Sequence, residues 1–181
     1  HTSKAIGVAL GYTEHAKELN LDLPEEPILF NKMPQTFIGH RAKIVVPPDF
    51  DYLHYECELV AVIGRPARKV KVEDALNYVG GYTIGNDMSS RSIEGENPLY
   101  LPQAKSYDGA AALGPCLLLT EDAPGPETAI RLKILRDGQP IFIDETSLAK
   151  MKRNFEELVG FLYRETSFPE GAFLMTGTGI V

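Results

Sequence analysis

The chain has 181 residues, 44% of them hydrophobic and 24% charged, with a formal net charge of -7 at pH 7. That length can bury one sizeable core, and no linker-like stretch divides it, so residues 1–181 read as a single folded domain. The 18 basic residues form no dense run of the kind that displaces counterions from a nucleic acid backbone, so nucleic acid is not an expected partner.

In chain order, Lys4 to Leu10 predicts a strand, and Gly11 to Thr13 turns it into a helix with Thr13 as N-cap and Glu14 in the first turn. His15 and Glu18 fall three residues apart on that helix, a spacing that lets side chains meet. Prolines between Leu21 and Pro48 predict loops with short strands at Ile28 to Asn31 and Lys43 to Val46. Tyr55 to Ile63 is the clearest strand, stopped by Gly64, Arg65 and Pro66. A helix over Val72 to Tyr78 and a strand over Gly80 to Asn86 follow, and Arg91 to Lys105 reads as a long loop. Pro115 to Thr120, Arg131 to Arg136 and Pro140 to Asp144 are predicted strands, the last two joined by the hairpin signal Asp137-Gly138. A helix near Met151 to Arg164 and a strand near Ala172 to Thr176 complete a mixed α+β chain that is mainly β.

Cys57 and Cys116 have neither metal-ligand spacing nor the density of a disulfide scaffold, which suits a reducing compartment. No apolar run approaches the roughly 20 residues that span a bilayer, so no membrane partner is expected and the location expected is cytoplasmic. His1-Thr2-Ser3 carries no functional weight.

The chemistry-bearing residues begin with Glu56 and Glu58, which share one face of a strand because side chains alternate. The continuation at Val60 and Val62 takes that face into the core, where carboxylates are costly without a cation or donors. Asp87 ends a second apolar strand and is the natural third ligand. Three carboxylate oxygens suit a hard cation such as Mg²⁺ or Mn²⁺ and suit Zn²⁺ poorly. The same residues also fit a solvated strand end and an ordinary turn. Lys105 and Arg91 could pair with a substrate carboxylate or a developing enolate, or could be surface charges. His15 with Glu18 fits a general base oriented by a carboxylate, or an exposed helical pair. Thr176-Gly177-Thr178 is a compact turn able to offer donors to a carboxylate.

Taken in order, these segments resemble the fumarylacetoacetate hydrolase superfamily over nearly the whole chain. The resemblance rests on His54-Tyr55-Glu56-Cys57-Glu58-Leu59, Gly85-Asn86-Asp87-Met88-Ser89-Ser90-Arg91, Ala104-Lys105-Ser106-Tyr107-Asp108-Gly109 and Thr176-Gly177-Thr178. The segment from Ala9 to Glu18, with Pro24 to Pro27 and Phe30-Asn31-Lys32, resembles the isomerase and decarboxylase branch of the homoprotocatechuate pathway. Glu96 to Lys105 resembles the 2-keto-3-deoxy sugar acid dehydratases.

The resemblance implies a rolled β-sheet with few short helices, a homodimer, and Mg²⁺ or Mn²⁺ on Glu56, Glu58 and Asp87. It implies catalytic roles for His15, Glu18 and Lys105, with His15 and Glu18 on a lid helix. Arg91, Gln103, Lys32 and Thr178 are expected to contact a small 2-oxo acid substrate. Set beside the family, the chain is expected to be short at both ends. The function expected is carbon-carbon hydrolysis, decarboxylation or isomerisation through a metal-stabilised enolate in aromatic-compound catabolism. The alternatives are dehydration of a 2-keto-3-deoxy sugar acid, and a non-catalytic dimeric binding protein of the same fold.

Overall fold

In the computed structural model, which describes residues 4–48, 50–120 and 122–180, most of the regular structure is extended. The strands are β1 (Lys4–Ala9), β2 (Ile28–Lys32), β3 (Phe37–Gly39), β4 (Leu53–His54), β5 (Cys57–Ile63) and β6 (Val79–Asp87). They continue with β7 (Ser89–Ser90), β8 (Ala111–Leu118), β9 (Ala129–Arg136), β10 (Gln139–Ser147) and β11 (Ala172–Met175). The α-helices are α1 (Thr13–Glu18), α2 (Arg91–Glu96), α3 (Leu101–Ala104) and α4 (Phe155–Leu162). Seven strands form one curled mixed sheet in the order β2-β1-β11-β5-β6-β8-β3. The β1–β11 and β3–β8 pairs are parallel and the others antiparallel.

The core lies on the face of β5 that carries Leu59, Ala61 and Ile63, packed against Leu158 and Val159 of α4. Each of the leucine, isoleucine and valine side chains contributes roughly 1.5–3 kcal/mol when fully buried. A capping box starts α4: Asn154 accepts from the Glu157 N–H while the Glu157 carboxylate accepts from the Asn154 N–H. Asp137 and Gly138 both have positive φ, 50° and 76°, as a two-residue hairpin between β9 and β10 requires.

Several expectations need correction. Glu56 and Glu58 are buried, but on the side of the sheet away from the main core. Val60 on their face packs against Met175 and Gly85, and Val62 is half-buried. Residues 43–46 are not a strand; Val45 and Val46 are exposed, and apolar content without a ladder partner does not make one. Arg91 to Lys105 is not a loop but α2, a 3₁₀ turn at Pro98–Tyr100 and α3. These turns are too short to show a periodic stripe, and Asn97, accepting from the Leu99 N–H at 2.9 Å, punctuates them. The helix expected over Val72 to Tyr78 is present as a 3₁₀-helix, while the last helix spans only Phe155–Leu162. The strand expected at Pro115 to Thr120 lies earlier, at Ala111–Leu118. The N-cap of α1 is Tyr12, while Thr13 turns its hydroxyl to Glu14 Oε2 at 3.0 Å. Among the described residues no helix is long and apolar enough to cross a membrane. Residues 1–3 lie outside the described residues.

Candidate metal centre

Antiparallel pairing of β5 with β6 sets Cys57 opposite Asn86 and Glu58 opposite Gly85. Residues opposite one another share a face, and so do residues two apart, which brings Asp87 onto the face of Glu58. Glu56, one residue ahead of β5, is tied in by its carbonyl, which accepts from the Asp87 N–H at 2.8 Å. Glu56, Glu58 and Asp87 are all buried, and each offers an oxygen within 4.8 Å of the other two.

Two ammonium groups stand beside these three carboxylates. Lys105 Nζ donates to Glu56 Oε1 at 2.8 Å and to Ser89 Oγ at 2.6 Å, and lies 3.3 Å from Asp87 Oδ2. Ser89 Oγ in turn donates to Glu56 Oε1 at 2.6 Å. Lys32 Nζ donates to Asp87 Oδ1 at 2.7 Å and also to the Lys105 carbonyl. Among the described residues no ammonium pairs with Glu58; its Oε2 accepts from the Gly177 N–H at 2.8 Å.

Burial opposes ionisation of Glu56, but the Lys105 ammonium, His15 and the Ser89 hydroxyl outweigh it and hold the carboxyl down at about 2. Burial pushes Glu58 the other way, well above the usual carboxylate range, reinforced by the charges of Asp87 and Glu56. Lys105 is raised: burial would lower it, but Asp87 and Glu56 more than compensate.

With every group ionised, three carboxylates against two ammoniums leave one uncompensated negative charge. Asp87 Oδ2, although buried and 3.3 Å from Lys105 Nζ, accepts no hydrogen bond from the described residues. An unsatisfied buried oxygen, a neighbour whose charge burial resists, and an all-carboxylate donor set together fit a divalent hard cation such as Mg²⁺ or Mn²⁺.

A cleft of about 320 Å³ opens onto this cluster, with Glu56, Lys105, His15, Arg91, Gly177 and Thr178 in its lining. Much of the remaining wall is apolar, including Val8, Leu10, Phe30 and Leu101. A larger cavity of about 590 Å³, between Gly64 and Thr120, has no carboxylate in its lining, so the chemistry belongs to the smaller cleft. His15 is 5% exposed, with Nδ1 3.4 Å from Glu18 Oε2, so the imidazole is buried while its carboxylate neighbour is exposed.

The structure gathers Glu56, Glu58, Asp87, Lys105, Lys32, His15, Arg91 and Thr178 at the cleft or its carboxylate cluster, with Glu18 outside the lining beside His15 and Arg91. Gln103 is not brought there, and Lys32 reaches the cluster without lining the cleft. Gln103 is exposed on α3 and outside the lining, and Lys32 is wholly buried behind Asp87 as its counter-charge. Three participants escaped sequence reasoning. Ser89 bridges Lys105 and Glu56, Glu94 lines the cleft, and His54 accepts from Arg91 Nη2 at 2.9 Å. Burial lowers His54, and so does the Arg91 charge, which suits an acceptor. Ser89 and Glu94 lie beside Asp87 and Arg91 in sequence, but reading the segment from Arg91 onward as a loop gave Glu94 no direction.

Residues 4–180 match the family model for the Fumarylacetoacetate (FAA) hydrolase C-terminal region. The chain is 37% identical over 188 residues to a Haloferax volcanii protein named "Probable 2-keto-3-deoxyxylonate dehydratase", covering 98% of the chain and 61% of that relative. It is 35% identical over 182 residues to the 2-dehydro-3-deoxy-D-arabinonate dehydratase of Saccharolobus solfataricus, covering 100% of the chain and 57% of that relative. The crystal structure of 5-carboxymethyl-2-hydroxymuconate delta-isomerase from Mycobacterium smegmatis is similar with a TM-score of 0.79 at 31% identity, covering 98% of this chain and 68% of that one. The chain thus spans about three fifths of the length of these two curated relatives. With its whole described length matched and its sheet shared, the chain belongs to the fumarylacetoacetate hydrolase family.

Proposed function

We propose that the chain is a single catalytic domain that holds Mg²⁺ or Mn²⁺ on Glu56, Glu58 and Asp87 and acts on a small 2-oxo acid in the adjoining cleft. The observation that carries this reading is the convergence of three buried carboxylates beside Lys105 in the cleft wall. Bound there, the cation would polarise the carboxylate and keto oxygens of a 2-oxo acid and stabilise the derived enolate.

The chain's own residues supply the rest. Lys105 fixes Glu56 and adds positive charge beside the developing oxyanion. His15, whose Nδ1 lies 3.4 Å from Glu18 Oε2 without a hydrogen bond, lines the cleft and would take a proton from substrate or water. Helix α1, which carries this pair, acts as a lid that admits or excludes water. Thr178 and the neighbouring turn line the cleft where the substrate head sits.

Two finer readings share this site. The first is carbon-carbon hydrolysis, decarboxylation or isomerisation in aromatic-compound catabolism, supported by the similarity to the Mycobacterium smegmatis isomerase. The second is dehydration of a 2-keto-3-deoxy sugar acid, favoured by the two curated dehydratases and by a carboxylate, Glu94, in the cleft wall. A non-catalytic scaffold is disfavoured because buried clustered carboxylates cost stability that a scaffold has no reason to spend. A cytoplasmic homodimer belongs to the same proposal; exposed Ile84, Leu118 and Leu119 offer apolar surface for a second copy, and sedimentation tests it.

The deciding experiment is turnover of a 2-oxo acid panel with Mg²⁺ or Mn²⁺, beside Glu56→Ala and His15→Ala. Activity that requires both residues supports the site, and the best substrate selects the reading. Tight Mn²⁺ binding with no turnover of any member would return the scaffold.

A further inference from the structure

Glu94 projects from α2 into the cleft, and its side chain is 15% exposed. Its Oε2 accepts from Arg91 Nη1 at 2.6 Å, and Arg91 is itself anchored through Nη2 on His54 Nδ1 at 2.9 Å. The carboxylate is therefore aimed. Its other oxygen accepts no hydrogen bond from the described residues. Glu94 also offers an atom within 4.8 Å of both His15 and Glu56, which places it next to the carboxylate cluster rather than at the cleft rim. With Arg91 on Oε2, Glu94 is an acceptor held in place by a cation beside the carboxylate cluster.

The charges of the cleft follow a consistent pattern. Its two cationic side chains are both engaged: Lys105 by Glu56 and Asp87, Arg91 by Glu94. Beyond the carboxylate cluster the wall offers a fixed carboxylate, an imidazole and apolar side chains such as Leu19, Phe30 and Leu101. An ionised carboxylate only accepts hydrogen bonds, so it recognises a hydroxyl and repels a second carboxylate.

We propose that Glu94 is a specificity-determining residue: it accepts a hydrogen bond from a hydroxyl on the substrate's tail, selecting 2-oxo acids with hydroxylated tails and rejecting those with a distal carboxylate. This rests on the reading of Glu56, Glu58 and Asp87 as the site that holds the 2-oxo acid head. A site arranged to bond a hydroxyl discriminates strongly against analogues that lack it, because the protein acceptor is left unpaired.

The test is calorimetric binding of three probes to the Mn²⁺-loaded protein and to its Glu94→Gln variant, which keeps the side-chain volume. The probes are pyruvate (the head alone), 2-oxoglutarate and a 3-deoxy-2-oxopentonate. In the unaltered protein the hydroxylated acid binds more tightly than pyruvate and 2-oxoglutarate more weakly. In Glu94→Gln the preference for the hydroxylated acid over 2-oxoglutarate falls by about tenfold or more. A preference that stays within about twofold while pyruvate still binds overturns the role of Glu94 and leaves the metal site standing. Failure of pyruvate to bind the unaltered protein overturns the reading of the site, and the role of Glu94 with it.

Discussion

The backbone N–H of Gly177 donates to Glu58 Oε2 at 2.8 Å, joining the turn after β11 to the carboxylate of the cluster that has no ammonium partner among the described residues. Gly177 has φ of +83°, and a Cβ there would stand 2.9 Å from the Val8 carbonyl oxygen. Gly177→Ala is expected to cost about 1–3 kcal/mol of stability. It should also weaken Mn²⁺ binding, because the donor moves away from Glu58. Urea unfolding with a parallel Mn²⁺ titration checks both; unchanged affinity would detach this turn from the site.

The Glu58 proton links pH to the cation. Its folded pKa is raised, so its contribution to stability is present below the unfolded value of 4.5 and is lost as pH rises through the folded value. Glu56 runs the opposite way: its contribution is present above 4.5 and lost as pH falls towards about 2. Cation-free protein is therefore expected to lose stability as pH rises above 4.5, and added Mn²⁺ to restore it with release of a proton. Thermal unfolding across pH with and without Mn²⁺ measures this. A cation-free midpoint that climbs with pH would contradict it.

Lys32→Met separates a counter-charge from a substrate contact. Lys32 and Asp87 are completely buried at the ends of a 2.7 Å ion pair, so removing the ammonium strands a carboxylate. The expected loss is about 3–5 kcal/mol, partly recovered by Mn²⁺. If stability instead held while KM rose, Lys32 would be a substrate residue after all.

Lys105→Met removes the ammonium bonded to Glu56 and 3.3 Å from Asp87 Oδ2. Turnover should fall by about a hundredfold or more. The Mn²⁺ site should survive, since no carboxylate is lost. Turnover retained within about tenfold would remove Lys105 from the chemistry.

Asn154→Ala is a control on the fold. Loss of the capping box should cost about 1 kcal/mol and leave Mn²⁺ affinity untouched, because α4 packs on the opposite side of the sheet from the carboxylates.

What the sequence determined by itself was local or carried in short motifs. The alternation Glu56-Cys57-Glu58 sets two carboxylates on one face, Asp137-Gly138 closes a hairpin, and Asp87 ends an apolar strand; each follows from backbone geometry within a few residues. Tertiary structure alone decided which groups meet across the chain. Lys32 and Asp87 are 55 residues apart, and nothing near Lys32 in sequence shows that its ammonium pairs with Asp87. Likewise Glu94 acquires a direction only once α2 forms and Arg91 is held by His54, 37 residues away. Which buried face of the sheet carries the main apolar cluster was likewise decided by tertiary structure. Alternation says that Leu59 and Val60 point oppositely, but only the packing of α4 says which of them meets the main core. Charge pairing and burial are properties of the assembled neighbourhood, and that neighbourhood is set by register between strands distant in sequence.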